Sequence, residues 1–142
     1  MRRNVAGINI MVFGTFDIFH PGHRSFLIQA KKKGDYLIAV VARDKTVVET
    51  KKQATRNKEK VRWNAVKESG LADKVILGSL WDKYAAIKKY QPDIICLGYD
   101  QKYFIAGLKE RLEKIGLKKT ELFRLKAYKP EIYKSSKLRK LI

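Results

Sequence analysis

Cysteine is nearly absent from this chain of 142 residues: Cys96 stands alone inside the apolar run Ile94 to Leu97. A single cysteine excludes an internal disulfide framework, and in that setting it reads as a small buried hydrophobe. Long hydrophobic runs are missing too, since none approaches the roughly 18 to 20 residues that a membrane span requires. The basic start, Met1 to Asn4, is followed by a short apolar stretch with no cleavage-site pattern. These shortages lead us to expect a soluble, cytoplasmic protein without a membrane partner. Internal repeats and low-complexity linkers are also lacking. With 45% hydrophobic residues, the chain can bury one core but not comfortably two, so residues 1–142 read as one domain.

Acidic residues are scarce: 14 Asp plus Glu face 32 Lys plus Arg, a net charge of +18. Such a field attracts polyanions. Nucleic acid, nucleotides, pyrophosphate and phosphorylated metabolites all qualify, so charge alone does not choose among them. The basic residues are spread along the chain, as at Lys31 to Lys33, Lys51-Lys52, Lys88-Lys89 and Lys118-Lys119. Most therefore read as solvated surface, and the lack of a concentrated basic stripe weighs against a nucleic-acid partner.

Five short β-prone runs are present, at Ile8 to Phe13, Tyr36 to Ala42, Lys74 to Leu77, Asp93 to Gly98 and Glu121 to Leu125. Several are continuously apolar, which suits strands covered on both faces of a parallel sheet. Helical spacing fills the gaps: a helix carrying Phe26, Leu27 and Ala30 and closed by a left-handed Gly34, then Lys58 to Ser69, Asp82 to Tyr90, and Phe104 to Ile115 ended by Gly116. A last short helix follows the fifth strand. This order predicts an α/β fold, a single-domain, doubly wound, parallel five-stranded sheet whose ligands sit beyond the carboxyl ends of the strands. Glu49 to Lys58, charged and poor in packing residues, reads as a mobile loop.

Histidine is as scarce as it is concentrated. Both copies lie in Gly14-Thr15-Phe16-Asp17-Ile18-Phe19-His20-Pro21-Gly22-His23, directly after the first strand. Gly14 and Gly22 would let backbone N–H groups approach phosphate, and the helix beginning near Gly22 offers its positive end to the same anion. Two imidazoles there can donate hydrogen bonds to phosphates as charge builds. Asp17 reads either as a hydrogen-bond partner at the phosphate end or as the cap of the histidine helix. Near the C-terminus, Ser135 and Ser136 can cap a helix whose free N–H groups face a triphosphate, with Lys137 as a point charge, and the alternative is an ordinary capped helix.

The histidine turn resembles the HxGH signature of the cytidylyltransferase-like nucleotidyltransferases, and the resemblance covers nearly the whole chain. It implies a Rossmann-like (HUP-type) fold. Val40 to Asp44 is similar to the family's acid-ended second strand, Lys51-Lys52 to its flexible basic loop, and Arg62 to the arginine that opens the next helix. Gly98-Tyr99-Asp100-Gln101 matches its glycine and acid after strand four, and Tyr133-Lys134-Ser135-Ser136-Lys137 its Ser/Thr-rich turn. The chain departs from the family at Ala127 to Ile132, where many cytidylyltransferases carry Arg-Thr-Glu-Gly. The Gly98 to Gln101 segment is similar to archaeal-type FAD synthetases, which transfer AMP from ATP to FMN.

The resemblance implies in-line attack by an acceptor phosphate on the α-phosphorus of a nucleotide, without a covalent enzyme intermediate. His20, His23, Lys137 and Arg62 are the expected catalytic residues. Gly14, Thr15, Phe16, Asp17, Gly22, Lys51, Lys52, Gly98, Asp100, Tyr133, Ser135 and Ser136 are the expected nucleotide- and phosphate-binding set. No dedicated metal cage is read, so Mg2+ or another divalent ion would arrive with the triphosphate. The expected substrates are ATP or CTP and a phosphorylated acceptor, FMN first and glycerol 3-phosphate as the alternative, and a homodimer is implied. An aminoacyl-tRNA synthetase fragment and a non-catalytic nucleic-acid-binding module are the rival readings.

Overall fold

The computed structural model describes residues 7–82, 84–98, 107–117 and 119–126. In chain order the elements are β1 (Asn9–Gly14), α1 (Pro21–Lys31), β2 (Tyr36–Val41), α2 (Asp44–Lys51), α3 (Glu59–Ser69), β3 (Lys74–Leu77), α4 (Ala85–Tyr90), β4 (Ile94–Leu97), α5 (Leu108–Lys114) and β5 (Glu121–Arg124).

The five strands are all parallel and run in the order β3-β2-β1-β4-β5. Period-two alternation splits their side chains between two cores. Ile10, Val12, Leu37, Ala39, Val41 and Cys96 meet Leu27 and Ala30 of α1 and Val66 of α3 on one face. Met11, Phe13, Ile38, Val40, Ile95 and Leu97 meet Ile87 and Tyr90 of α4 and Leu112 of α5 on the other. Helices on both faces explain why these strands carry continuous apolar runs. The chain winds outward from β1 to β2 and β3, then returns to place β4 on the other side of β1. The topological switch point therefore lies between β1 and β4, where the carboxyl ends of the strands open a crevice.

The elements differ from expectation in three places. Residues 49–51 end the eight-residue helix α2 and are not loop. The reason is tertiary: Glu59 Oε1 accepts the first N–H of α2, at Asp44 (2.8 Å), and Asp44 Oδ2 accepts the first N–H of α3, at Glu59 (3.2 Å). Each helix thus caps the other. Gly34 is not the left-handed terminus expected of it, because α1 ends at Lys32 in right-handed geometry. A Cβ at Gly34 would lie 2.6 Å from Ile10 and 2.7 Å from Ile8, so this glycine provides room for strand β1. Finally, α4 starts at Ala85 and not at Asp82, whose carboxylate accepts the N–H of Tyr84 (2.9 Å). Gly116, by contrast, follows α5 with φ +81, as a left-handed terminator should. The expected helix after β5 and the start of the Phe104 helix lie outside the described residues.

Candidate active site

The turn from β1 to α1 occupies one side of the switch point, and Gly98, at the end of β4, occupies the other. Its backbone is unusual: Phe16 (φ 55) and Ile18 (φ 53) both adopt left-handed geometry, which disfavours an aromatic or β-branched residue. Phe16 is held there by burial, at 3% exposure, within the core under α1. Gly14 makes this possible. A Cβ at Gly14 would lie 2.8 Å from the Phe16 ring, so the missing side chain makes room for that ring, a different reason from the phosphate approach expected of it.

Above Phe16 the two histidines form a capping box. His20 is the N-cap of α1, its Nδ1 accepting the N–H of Gly22 (3.0 Å), while His23 Nδ1 accepts the N–H of His20 (3.3 Å). Asp17, considered as a cap, is not the one used. Because each Nδ1 accepts, the proton of each ring sits on Nε2, which leaves two N–H donors at a helix N-terminus. The rings stack with centroids 3.8 Å apart, and His23 is flanked by Phe19 at 5.6 Å and Phe16 at 5.5 Å. Burial pushes the His20 imidazole down from 6.5 to about 4. At neutral pH His20 is therefore an uncharged donor.

Asp17 and Arg62 turn out to hold the walls. Asp17 is buried, and its carboxylate accepts the N–H groups of Arg56 (2.7 Å) and Asn57 (2.9 Å). It fastens the basic segment before α3 to the histidine turn. Arg62 is 1% exposed, so it is not among the solvated surface cations that the spread of basic residues suggests. Its guanidinium donates to Thr15 O (2.8 Å), Asn57 O (3.0 Å) and Asp44 Oδ1 (2.7 Å), joining the histidine turn, the basic segment and α2. Burial raises the Asp44 carboxyl, but hydrogen bonds from Arg62 and from the Glu59 backbone outweigh it and hold the group below its ordinary range. In this arrangement Arg62 reaches a phosphate only if those contacts open.

Lys52 is exposed at the left-handed end of α2 (φ 59). Gly98 O accepts from Arg124 Nη1 at 2.6 Å. Thr15, Gly22 and Gly98 are half-buried around the crevice. Asp100, Tyr133, Ser135, Ser136 and Lys137 lie outside the described residues, as does the side chain of Lys51. Among the described residues no group of three or more His, Cys, Asp or Glu side chains could hold a metal ion, and no helix is long and apolar enough to cross a membrane. The interlock of Asp44, Glu59 and Arg62 was missed in sequence, where only Asp44, the acid that follows β2 and opens α2, hinted at it.

A parallel doubly wound sheet with a two-histidine helix cap at its switch point defines a nucleotide-handling α/β enzyme. The model of the cytidylyltransferase-like family matches residues 11–141, and the chain belongs to that family. It is a nucleotidyltransferase. The FAD synthase of Aciduliprofundum boonei is 42% identical over 121 residues, 85% of this chain and 80% of that protein. The FAD synthase of Picrophilus torridus is 38% identical over 135 residues, 95% of this chain and 96% of that protein. Among solved structures, the lipopolysaccharide core biosynthesis protein of Thermoplasma volcanium is similar, with a TM-score of 0.80 and 36% identity over 87% of this chain and 99% of that one.

Proposed function

We propose that this chain is an FMN adenylyltransferase, an FAD synthase that uses ATP and releases pyrophosphate. The observation that carries nucleotidyl transfer is the paired-histidine cap, two Nε2–H donors on the N-terminus of α1 at the switch point. The choice of ATP and FMN is supported by the FAD synthases of A. boonei and P. torridus, alike over most of both chains.

In the reaction an anionic oxygen of the FMN phosphate attacks the α-phosphorus of ATP in line. One P–O bond forms, the bond to the β-phosphate oxygen breaks, and pyrophosphate leaves with the bonding pair. No proton has to be removed from the nucleophile, so the protein's task is positioning and charge stabilisation. His20 and His23 donate to the phosphate oxygens as charge builds. The triphosphate would carry a divalent ion such as Mg2+, which would supply charge neutralisation at the phosphates. Arg62 and Asp17 act as positioning residues through Thr15 and the 56–57 backbone, a revision of direct phosphate contact. Gly98 and Asp100 serve the nucleotide, Lys51 and Lys52 close over the phosphates, and Tyr133, Ser135, Ser136 and Lys137 complete the triphosphate site. Residues 1–142 work as one catalytic domain, in a cytoplasmic homodimer.

A substrate panel tests this. With Mg2+, ATP and FMN should yield FAD and pyrophosphate in equal amounts, and CTP with glycerol 3-phosphate should yield neither. Turnover with CTP and glycerol 3-phosphate in place of ATP and FMN sinks the assignment.

A further inference from the structure

The ladder between β1 and β4 pairs Ile10 to Val12 with Ile94 to Cys96 and stops there. Gly14 and Gly98, one on each side of the crevice, are therefore not tied to each other by it. A connection between the two sides runs instead around the end of β5. That strand is already secured to β4 from Glu121 to Arg124, and Leu125 N–H continues the pairing to Leu97 O (2.8 Å). The Leu125 side chain is buried in the core that holds Leu27 and Ala30 of α1.

Two contacts go beyond what holding an edge strand needs. Arg124 is exposed and has no carboxylate partner among the described residues, yet its guanidinium is turned onto Gly98 O at 2.6 Å, a short charge-assisted bond. On the other side, the carboxamide of Gln29 in α1 clasps one residue by both backbone groups. Its Nε2 donates to Lys126 O (3.0 Å) and its Oε1 accepts the Lys126 N–H (3.1 Å). The same Nε2 donates to Ser25 Oγ one turn earlier in the helix (3.2 Å), which fixes the plane of the amide. Both contacts are made to main chain, so they set the course of the backbone.

Laid end to end, they run from Gly98 through Arg124, Leu125 and Lys126 to Gln29. Gln29 follows His23 by six residues in the same helix, about 9 Å along its axis. Resting on the assignment of the histidines to the phosphates and of Gly98 to the nucleotide, we infer that Gln29 and Arg124 are positioning residues of the transfer. They are the two ends of a strut that sets the gap between the donor pair on α1 and the end of β4. The nucleotide bridges that gap, so its binding depends on the strut, and breaking either end releases the same constraint.

The test is steady-state kinetics of Q29A, R124A, R124K and the double variant Q29A/R124A. Each is assayed with the nucleotide that the wild-type protein turns over, ATP on the reading above or CTP if the substrate panel selects it, so a wrong nucleotide is told apart from a wrong strut. Q29A and R124A should each raise KM for the nucleotide by about tenfold, a fraction of the roughly 100-fold that a 1 Å misplacement can cost, and leave KM for the acceptor within about twofold. Links in series fail together, so the double variant should be no worse than the worse single one, a coupling that independent contacts do not show. R124K keeps a charged donor and should recover part of the loss. Urea midpoints should stay near wild type, because both contacts are solvent-exposed. Without any substrate, the Gly98 amide and the His23 ring nitrogens should shift in the NMR spectrum of Q29A, although Gln29 touches neither. An unmoved Gly98 amide in Q29A overturns the inference, as does a rise in nucleotide KM in R124A alone, which puts Arg124 on the nucleotide itself. Losses that multiply in the double variant, or a fallen urea midpoint with both KM values raised alike, also overturn it and reduce the pair to fastenings of an edge strand.

Discussion

Adding a methyl group at Gly14 puts a Cβ 2.8 Å from Cε2, 2.9 Å from Cζ and 3.2 Å from Cδ2 of Phe16. The ring has little space to retreat into, because Phe16 is buried with Phe26 at 6.3 Å and His23 at 5.5 Å. Its backbone is already left-handed at φ 55, so it cannot relieve the clash by a small turn at low cost. Overpacking of this kind costs about 1 to 3 kcal/mol. The ring that moves is the one set edge-on against His23, whose acceptor bond to the His20 N–H is long at 3.3 Å and easily lost. Gly14→Ala should therefore lower unfolding stability in urea by about 1 to 3 kcal/mol with an unchanged m-value. It should also lower kcat on the order of tenfold or more, the direction expected when an oriented donor is misplaced. Phe16→Leu in the same chain makes room for the methyl and should recover part of the stability, so the double-mutant cycle shows favourable coupling. Stability within about 0.5 kcal/mol of wild type, the range of neutral surface changes, together with full turnover, would refute the argument that Gly14 seats Phe16 and Phe16 seats His23.

Arg62→Lys keeps the charge but cannot fork to Thr15 O, Asn57 O and Asp44 Oδ1 at once. Chemical denaturation should show a loss of about 2 to 3 kcal/mol, with kcat/KM falling as the histidine turn and the basic segment part; a neutral result removes Arg62 as their tie. The His20 imidazole should titrate near 4 and not near 6.5 in the ligand-free protein, read from ring nitrogen shifts by NMR. Since the folded value lies below the unfolded one, neutral His20 contributes stability that is full above about pH 6.5 and is lost as pH falls through 4. A midpoint at or above 6.5 contradicts the burial that sets the shift.

The continuous runs at residues 9–14, 36–41 and 94–97 were legible in sequence because strands buried on both faces need apolar residues throughout. The histidine turn was legible because both histidines fall in one strand-to-helix junction. What escaped depends on partners distant in sequence. Glu49 to Lys58 reads as loop from its charge, yet its first residues end α2, a helix whose cap is a glutamate 15 residues from Asp44. Arg62 looks like surface charge until Thr15, Asn57 and Asp44 surround it. Gly14 reads as room for a phosphate and Gly34 as a helix terminator, whereas each is required by a side chain packed against it, Phe16 in one case and Ile8 and Ile10 in the other. Phosphate-binding composition suggested what the turn does, but only the fold revealed that a histidine, and not Asp17, caps the helix.

The claim at the centre of this account is that the two histidines of the α1 cap stabilise nucleotidyl transfer as paired donors. The direct measurement is the rate of FAD formation from saturating ATP and FMN by the wild-type protein, His20→Ala and His23→Ala, each shown to be folded by circular dichroism. Loss of one such donor should lower kcat on the order of 100- to 1,000-fold in each variant, with the His20 variant also losing about 1 kcal/mol of helix capping. Turnover within a few-fold of wild type in either variant contradicts the account.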